Sequence, residues 1–413
     1  MIDSEPQNLK LLLSKYDQEH LIYFYDDLEQ EEKEKLIGQI KETDFEYLKK
    51  LYQNSYKDEN IEINRISPIE YYTKAKIDVN SKRIYELIGE KIVKEGKIAI
   101  ITLAGGMGSR LGYKGPKGCY EIDIPPKKSL FEFICDKLID AYKKYGVYLK
   151  WYIMTSPSND EKTREYFEKK NYFNYPREKV FFFQQDTINI LDTSGKVMLE
   201  NEYTLKKDSN GNGDVFRAFM ENDLEKTLDN IELLSISGVD NIILDIIDPI
   251  FIGIAVYHKS DIAAKSVQKE DVNSKDWVFA KVDGKPSIID PKYLTDEMKN
   301  SDKYNQINIL SHLFTKEAFI KSSSIKIPYN RAYKKNDFIN EEGMKIVAKE
   351  PNSFKFEKFI FNVFPYFDKL TLLEVNADDD FSPIKSFIGD ATPESALEKY
   401  LKKRRKKWRI ILQ

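Results

Sequence analysis

The sequence predicts an α/β protein: a mixed, mainly parallel sheet flanked by helices, with a helical N-terminal segment and a small C-terminal appendage. Three observations carry that expectation. From Gly96 onward, short apolar runs of strand length alternate with helical patterns, as in a sheet covered on both faces. The first run, KIAIITLA, breaks abruptly into Gly105, Gly106 and Gly108, and the carboxyl ends of such strands are where ligands sit. Before Gly96, leucines, isoleucines and tyrosines recur at helical spacing among dense Glu and Lys, as in LIYFYDDLEQEEKEKLIGQI. The expected division is a helical segment over 1–92, a central domain over 93–365 and an appendage over 366–413.

In chain order, the strand KIAIITLA leads into the helical LFEFICDKLIDAYKKYG, WYIMT into NDEKTREYFEKK, KVFFFQQ into GDVFRAFMENDLEKTLDN, and ELLSISG into DPIFIGIAVYHKSD. Two hairpins interrupt the alternation, with turns at Ser194-Gly195 and Asp283-Gly284. No internal repeat is present.

At 413 residues the chain exceeds one ordinary hydrophobic core, so one large domain with smaller attached elements is expected. Hydrophobic residues at 41% and aromatics at 13% exclude a disordered chain. A net charge of −3 gives no general affinity for polyanions. The run KKRRKK, Lys402 to Lys407, reads as a solvated helix end rather than a nucleic-acid or membrane patch. Cys119 and Cys135 make neither a disulfide framework nor a zinc cluster, which points to a reducing compartment. The N-terminus is polar and acidic where a signal peptide is basic and then apolar, and no run reaches the roughly 18 apolar residues of a membrane span. The expectation is a cytoplasmic protein without nucleic-acid or membrane partners.

The glycine bend after Leu103 is the most informative stretch. Gly105, Gly106 and Gly108 strip the turn of Cβ atoms, so backbone N–H groups can approach an anion closely. It is not a Walker loop, which needs Gly-Lys-Ser/Thr, nor a dinucleotide fingerprint, which needs glycine where Leu111 stands. Arg110 and Lys117, the latter held between Pro116 and Gly118, add two cations just beyond the bend. Such a set suits chemistry at phosphorus with a pyrophosphate leaving group.

LAGGMGSRLGYKGPKGCYEIDIPPKKSLFE, Leu103 to Glu132, resembles the signature loop of the eukaryotic-type UDP-N-acetylhexosamine pyrophosphorylases, within the wider sugar-1-phosphate uridylyltransferases. WYIMTS, FFQQ, GNG, GVDNIIL, DPIFIG, EKFIF and FSPIK continue the likeness in order as far as Lys385. Arg110-Leu111 favours this branch over the UDP-glucose branch.

The resemblance implies a Rossmann-like, GT-A-like nucleotidyltransferase fold and a role for each matching residue. Leu103, Ala104, Gly105 and Gly106 would hold UTP. Gln185 and Gly211 would read the uracil edge, which an amide suits because it both donates and accepts. Arg110 and Lys117 match the catalytic cations. Asp240, after a strand, would hold Mg²⁺ or Mn²⁺, with Asn362 as the second ligand where relatives have Asp. Asn212, Asp290, Asn308 and Lys385 match contacts to the sugar phosphate. The chain departs from the family at Asn362, which bears on the metal, and at Asp290 in place of Glu, at Gln306-Ile307 in place of Ala-Gly and at Asp214, which bear on the sugar more than on UTP. His20, His258 and His312 receive no chemistry.

The implied reaction converts UTP and N-acetylglucosamine 1-phosphate into UDP-N-acetylglucosamine and pyrophosphate, in a monomer or weak homo-oligomer. A uridylyltransferase of other sugar specificity and a non-catalytic UDP-sugar-binding descendant are the alternatives. A nicotinamide dehydrogenase is disfavoured by the glycine spacing.

Overall fold

The computed structural model describes residues 4–55 and 61–411 and resolves the chain into two units, each assembled from separate stretches. The smaller comprises Met1–Glu59, Asp186–Gly213 and Ile327–Phe359; the larger comprises Asn60–Gln185, Asp214–Lys326 and Ile360–Gln413.

In the smaller unit the helices Ser4–Ser14, Gln30–Glu42 and Phe45–Ser55 present the apolar stripes that the sequence pattern predicts. Leu13, Leu36 and Ile40 share a core with Leu191, Leu205 and Phe356 from short antiparallel strands.

The larger unit is built on an 11-stranded sheet. Its main strands are β1 (Ile98–Leu103), β2 (Trp151–Thr155), β3 (Val180–Gln184), β4 (Leu233–Gly238), β5 (Ile262–Gln268), β6 (Gln306–Thr315) and β7 (Leu370–Glu374). They lie in the order β7-β5-β6-β4-β1-β2-β3. β1 is parallel to β2 and β4, β3 to β2, and β7 to β5, while β6 runs antiparallel to β4 and β5. β1 and β2 are buried along their whole length, as continuous apolar runs in a doubly covered sheet must be. The mixed, mainly parallel sheet flanked by helices is therefore observed.

The division of the chain differs from the expected boundaries. Helix Val79–Lys94, read as part of the N-terminal segment, belongs to the larger unit and packs on helix Pro249–Tyr257. Gly89 and Gly253 allow that approach: an added Cβ would stand 1.9 Å from the Pro249 carbonyl oxygen and 1.7 Å from that of Tyr85, respectively. At the other end, β7 is a strand of the main sheet rather than part of an appendage, and Tyr400 on helix Pro393–Ile411 meets Phe133 edge-on at 4.9 Å. Helical periodicity shows that a face is buried, but not against which core.

Two cations of the basic run near the C-terminus are paired within the chain. Lys402 pairs with Asp378 at 2.8 Å and Lys406 with Asp379 at 3.0 Å. Cys119 and Cys135 are buried free thiols, and burial pushes both up to about 12. Among the described residues no helix is long and apolar enough to cross a membrane.

Candidate active site

The strand order reverses beside β1, with β2 and β3 on one side and β4 on the other. Ligands of open α/β sheets bind in the crevice outside the carboxyl ends at such a reversal. The two strand ends are level there: Leu103 lies opposite Gly238, and the Val239 N–H donates to the Leu103 carbonyl at 3.2 Å. Each end supplies one charged side chain. Lys117 Nζ meets Asp240 Oδ2 at 2.8 Å, with the side chains 14% and 27% exposed. Pro116 opens the tight turn Lys117–Cys119, and the Lys117 N–H donates back to the Gly106 carbonyl at 3.0 Å. The sequence offers these two residues separately; the fold makes them one unit.

The bend itself is held from β2's carboxyl end. Asn159 Nδ2 donates to the carbonyls of Ala104 and Gly106 at 2.9 and 3.2 Å, and Ser156 Oγ donates to that of Gly105 at 2.8 Å. In a planar trans peptide the N–H points opposite to the C=O. The N–H groups of Gly105, Gly106 and Met107 therefore face away from those anchors, as an anion-binding nest requires. Gly105 has a second reason to be glycine: a Cβ there would lie 1.8 Å from Gln185 Nε2. Gln185, 4% exposed, is thereby packed against the bend. Arg110, on the turn Ser109–Leu111, is exposed and has no ion-pair partner among the described residues.

β6 pairs with β4 as far as Ser311 opposite Ser237, so Asn308 lies on the part of β6 that runs past the end of β4. Its ladder with β5 shifts between Ala264 and Ser266, and Leu310 in that bulge has φ +52°, an uncommon conformation for leucine. The Leu310 N–H donates to Asn308 Oδ1 at 3.0 Å, which fixes the orientation of the amide. His312 Nε2, 3.1 Å from the same oxygen, must then carry the proton and donate. Burial holds the imidazole down at about 3, so the ring is neutral, and its Nδ1 is buried without a partner among the described residues. With its oxygen doubly occupied, Asn308 has its NH₂ group left to offer a ligand.

Asn362 lies in the segment Ile360–Tyr366. Phe361 stands on Trp277 at 5.2 Å, and Phe364 meets His312 at 5.1 Å. The Trp277 carbonyl accepts the Asn308 N–H at 2.9 Å. Asn362 Oδ1 is buried with no hydrogen-bond partner among the described residues.

Lys385 is exposed, next to Ile384, whose N–H donates to the Asp240 carbonyl at 3.0 Å. Asp290 caps the turn Pro291–Tyr293, accepting from the Lys292 N–H at 2.9 Å. Gly211 and Asn212 belong to the smaller unit, where Gly211 (φ +91°) abuts the Lys358 carbonyl. Two of the departures from the family pattern have structural explanations. Gln306 is 1% exposed; its oxygen accepts from Ser266 Oγ at 2.6 Å and its nitrogen donates to Glu374 at 2.7 Å. Asp214 is buried and paired with Arg217 at 3.2 Å. Sequence reasoning missed Ser156, Asn159, Leu310 and His312. The signal for the first two was the polar run TSPSND directly after a buried strand.

Among the described residues no group of three or more His, Cys, Asp or Glu is gathered for a metal ion. Mg²⁺ bound to polyphosphate needs only one or two protein oxygens. Asp240 Oδ1, which has no hydrogen-bond partner among the described residues, and the orphaned Asn362 Oδ1 are oxygens of that kind. The donor chemistry therefore fits a hard divalent cation.

The profile of the family UTP--glucose-1-phosphate uridylyltransferase matches residues 43–390. UDP-N-acetylglucosamine pyrophosphorylase of Saccharomyces cerevisiae is 34% identical over 94% of this chain and 85% of its own length. UDP-N-acetylglucosamine diphosphorylase 2 of Arabidopsis thaliana is 29% identical over 95% and 83%. The crystal structure of the uridine diphosphate N-acetylglucosamine pyrophosphorylase from Trypanosoma brucei, in complex with inhibitor, superposes with a TM-score of 0.78 at 26% identity, covering 97% of this chain and 85% of that one.

Proposed function

The chain belongs to the UTP--glucose-1-phosphate uridylyltransferase family, and from that premise we propose that it forms UDP-N-acetylglucosamine and pyrophosphate from UTP and N-acetylglucosamine 1-phosphate. The observation that carries this reading is the Lys117–Asp240 pair at the strand-order reversal, 2.8 Å apart and beside the glycine bend. The protein is a nucleotidyltransferase.

The nucleoside triphosphate sits over the N–H groups of Gly105, Gly106 and Met107, with Gln185 at the uracil edge. The sugar phosphate is already an anionic nucleophile, so no general base is needed. Its oxygen bonds to the α-phosphorus in line as the α–β bridging P–O bond breaks, and pyrophosphate departs with the electron pair. Catalysis then reduces to placement and charge neutralisation. Lys117, fixed by Asp240, and Arg110 meet the charge on the transferring and departing groups. Asn308 presents its NH₂ group to the acceptor, and Lys385, beside Ile384, supplies a phosphate contact. Asp240 and Asn362 would hold Mg²⁺ or Mn²⁺, which when bound supplies further neutralisation of phosphate charge.

The test is pyrophosphate release from UTP with a panel of hexose 1-phosphates. N-acetylglucosamine 1-phosphate is expected to give the highest kcat/KM. Preference for glucose 1-phosphate would reassign the sugar, and no release with any member would leave only a UDP-sugar-binding role.

A further inference from the structure

A cavity of about 620 Å³ opens between helix Leu130–Tyr145, the segment Ile242–Pro249 and helix Pro393–Ile411. That is the size of an ordinary small-molecule site, and none of the crevice residues lines it. Ile139, Ile242, Leu244 and Ile247 give it an apolar face. Its charged lining is weighted toward cations. Lys128 is paired with Asp136 and Lys144 with Glu90, which leaves Lys137, Lys143, Lys403 and Arg404 against Asp140 and Asp245.

Lys137 is the anomaly. Its Nζ is buried and has no hydrogen-bond partner among the described residues, a costly condition for a cation. The buried carboxylates nearby are committed elsewhere. Asp380 Oδ1 accepts from Lys265 Nζ and from the Asp245 N–H, both at 3.1 Å. Asp248 is shared by Lys265, at 2.9 Å, and Lys74. Lys403 adds to the imbalance rather than relieving it, because its ammonium is held by the carbonyls of Ile243 and Asp379, which carry no net charge. Burial, followed by repulsion from Lys403, draws the Lys137 amine down to about 7.

We propose that this cavity binds an amphipathic organic anion, its charged head offsetting Lys137 and Lys403 and its apolar body lying on Ile242 and Ile247. The site uses no residue of the uridylyl-transfer crevice, so a ligand here binds apart from the reacting substrates.

The probe is 8-anilinonaphthalene-1-sulfonate, titrated by fluorescence into the full chain with UTP saturating. One saturable site is expected. Lys137→Met should weaken it at least about tenfold, as for other buried charge pairs that lose one partner. Lys137→Arg should retain it, and pyrophosphate release should be the same in Lys137→Met as in the parent. The uncharged N-phenyl-1-naphthylamine should bind weakly. Equal affinity of the sulfonate for Lys137→Met and parent, binding seen without UTP but absent with UTP saturating, or equal binding of the uncharged analogue would each overturn the proposal.

Discussion

The larger unit contains two Lys–Asp constellations of opposite character. Lys117 and Asp240 come from two strand ends, keep some contact with solvent, and leave one carboxylate oxygen uncommitted. Lys265, Asp248 and Asp380 are 0%, 2% and 7% exposed at the side chain, and Lys74 closes the set. Burial pushes the Asp248 carboxyl up, but Lys265 and Lys74 outweigh it and hold the group well below the usual carboxylate range. The buried set is thus charged and paired within itself. The strand-end pair, 14% and 27% exposed, has a spare oxygen and a cation that phosphate can engage, so similar side chains serve support in one place and the proposed chemistry in the other.

Breaking the buried set should have the largest effect. Asp248→Ala strands Lys74 and leaves Lys265 with Asp380 alone, and is expected to cost about 3–5 kcal/mol in urea unfolding, while the folded fraction keeps its kcat. Lys117→Ala should show the reverse. Turnover is expected to fall at least about a hundredfold, with stability changed by about 1 kcal/mol or less, as for a pair still in contact with water. A stable, inactive Asp248→Ala, or a Lys117→Ala that fails to fold, would erase the distinction.

How far the sequence foretold this follows from the range of each interaction. The bend, its cations and the strand before it are neighbours in the chain, and periodicity with glycine placement was enough to read them. The alternation of strands and helices similarly gave the parallel part of the sheet. The partner of Lys117 lies 123 positions away, and only the strand order brings it near. Gln306 looked like a change at the sugar site but is a core amide held by Ser266 and Glu374. The division into units was unreadable for the same reason: each gathers separated stretches, and the apolar stripe of Val79–Lys94 does not say that its partner is Pro249–Tyr257.

His312 sharpens the comparison in a different way, because it is a buried group proposed to act on the ligand through another residue. His312→Phe keeps an aromatic ring against Phe364 but removes the donor to Asn308 Oδ1. The expected result is a rise of about tenfold in KM for the sugar phosphate, the worth of one such hydrogen bond, with KM for UTP and kcat nearly unchanged. His312→Gln, which restores a donor, should recover part of the loss. Because burial holds this ring at about 3, it contributes no inflection to the KM profile between about pH 5 and 8, where an ordinary histidine titrates. Equal losses in KM for both substrates would reduce His312 to a packing residue.

The smallest effect concerns Lys137, the buried cation that neither constellation neutralises. Its amine is held at about 7 in the fold, against 10.5 as its ordinary value, by burial and by Lys403, with Asp245 and Asp380 opposing and Lys265 adding to the repulsion. Between those two values the unfolded chain holds a proton that the folded chain has released, so stability rises with pH across that window. Below it both states are charged, and the fold bears the full penalty. Lys137→Met removes the titrating group, so its Tm should exceed the parent's by a few degrees at pH 6 and converge on it toward pH 10. Thermal scans of the two proteins across that range check the sign. A difference that grew with pH would mean that Lys137 is neutralised in the fold by an anionic partner, and would place it with the paired set instead.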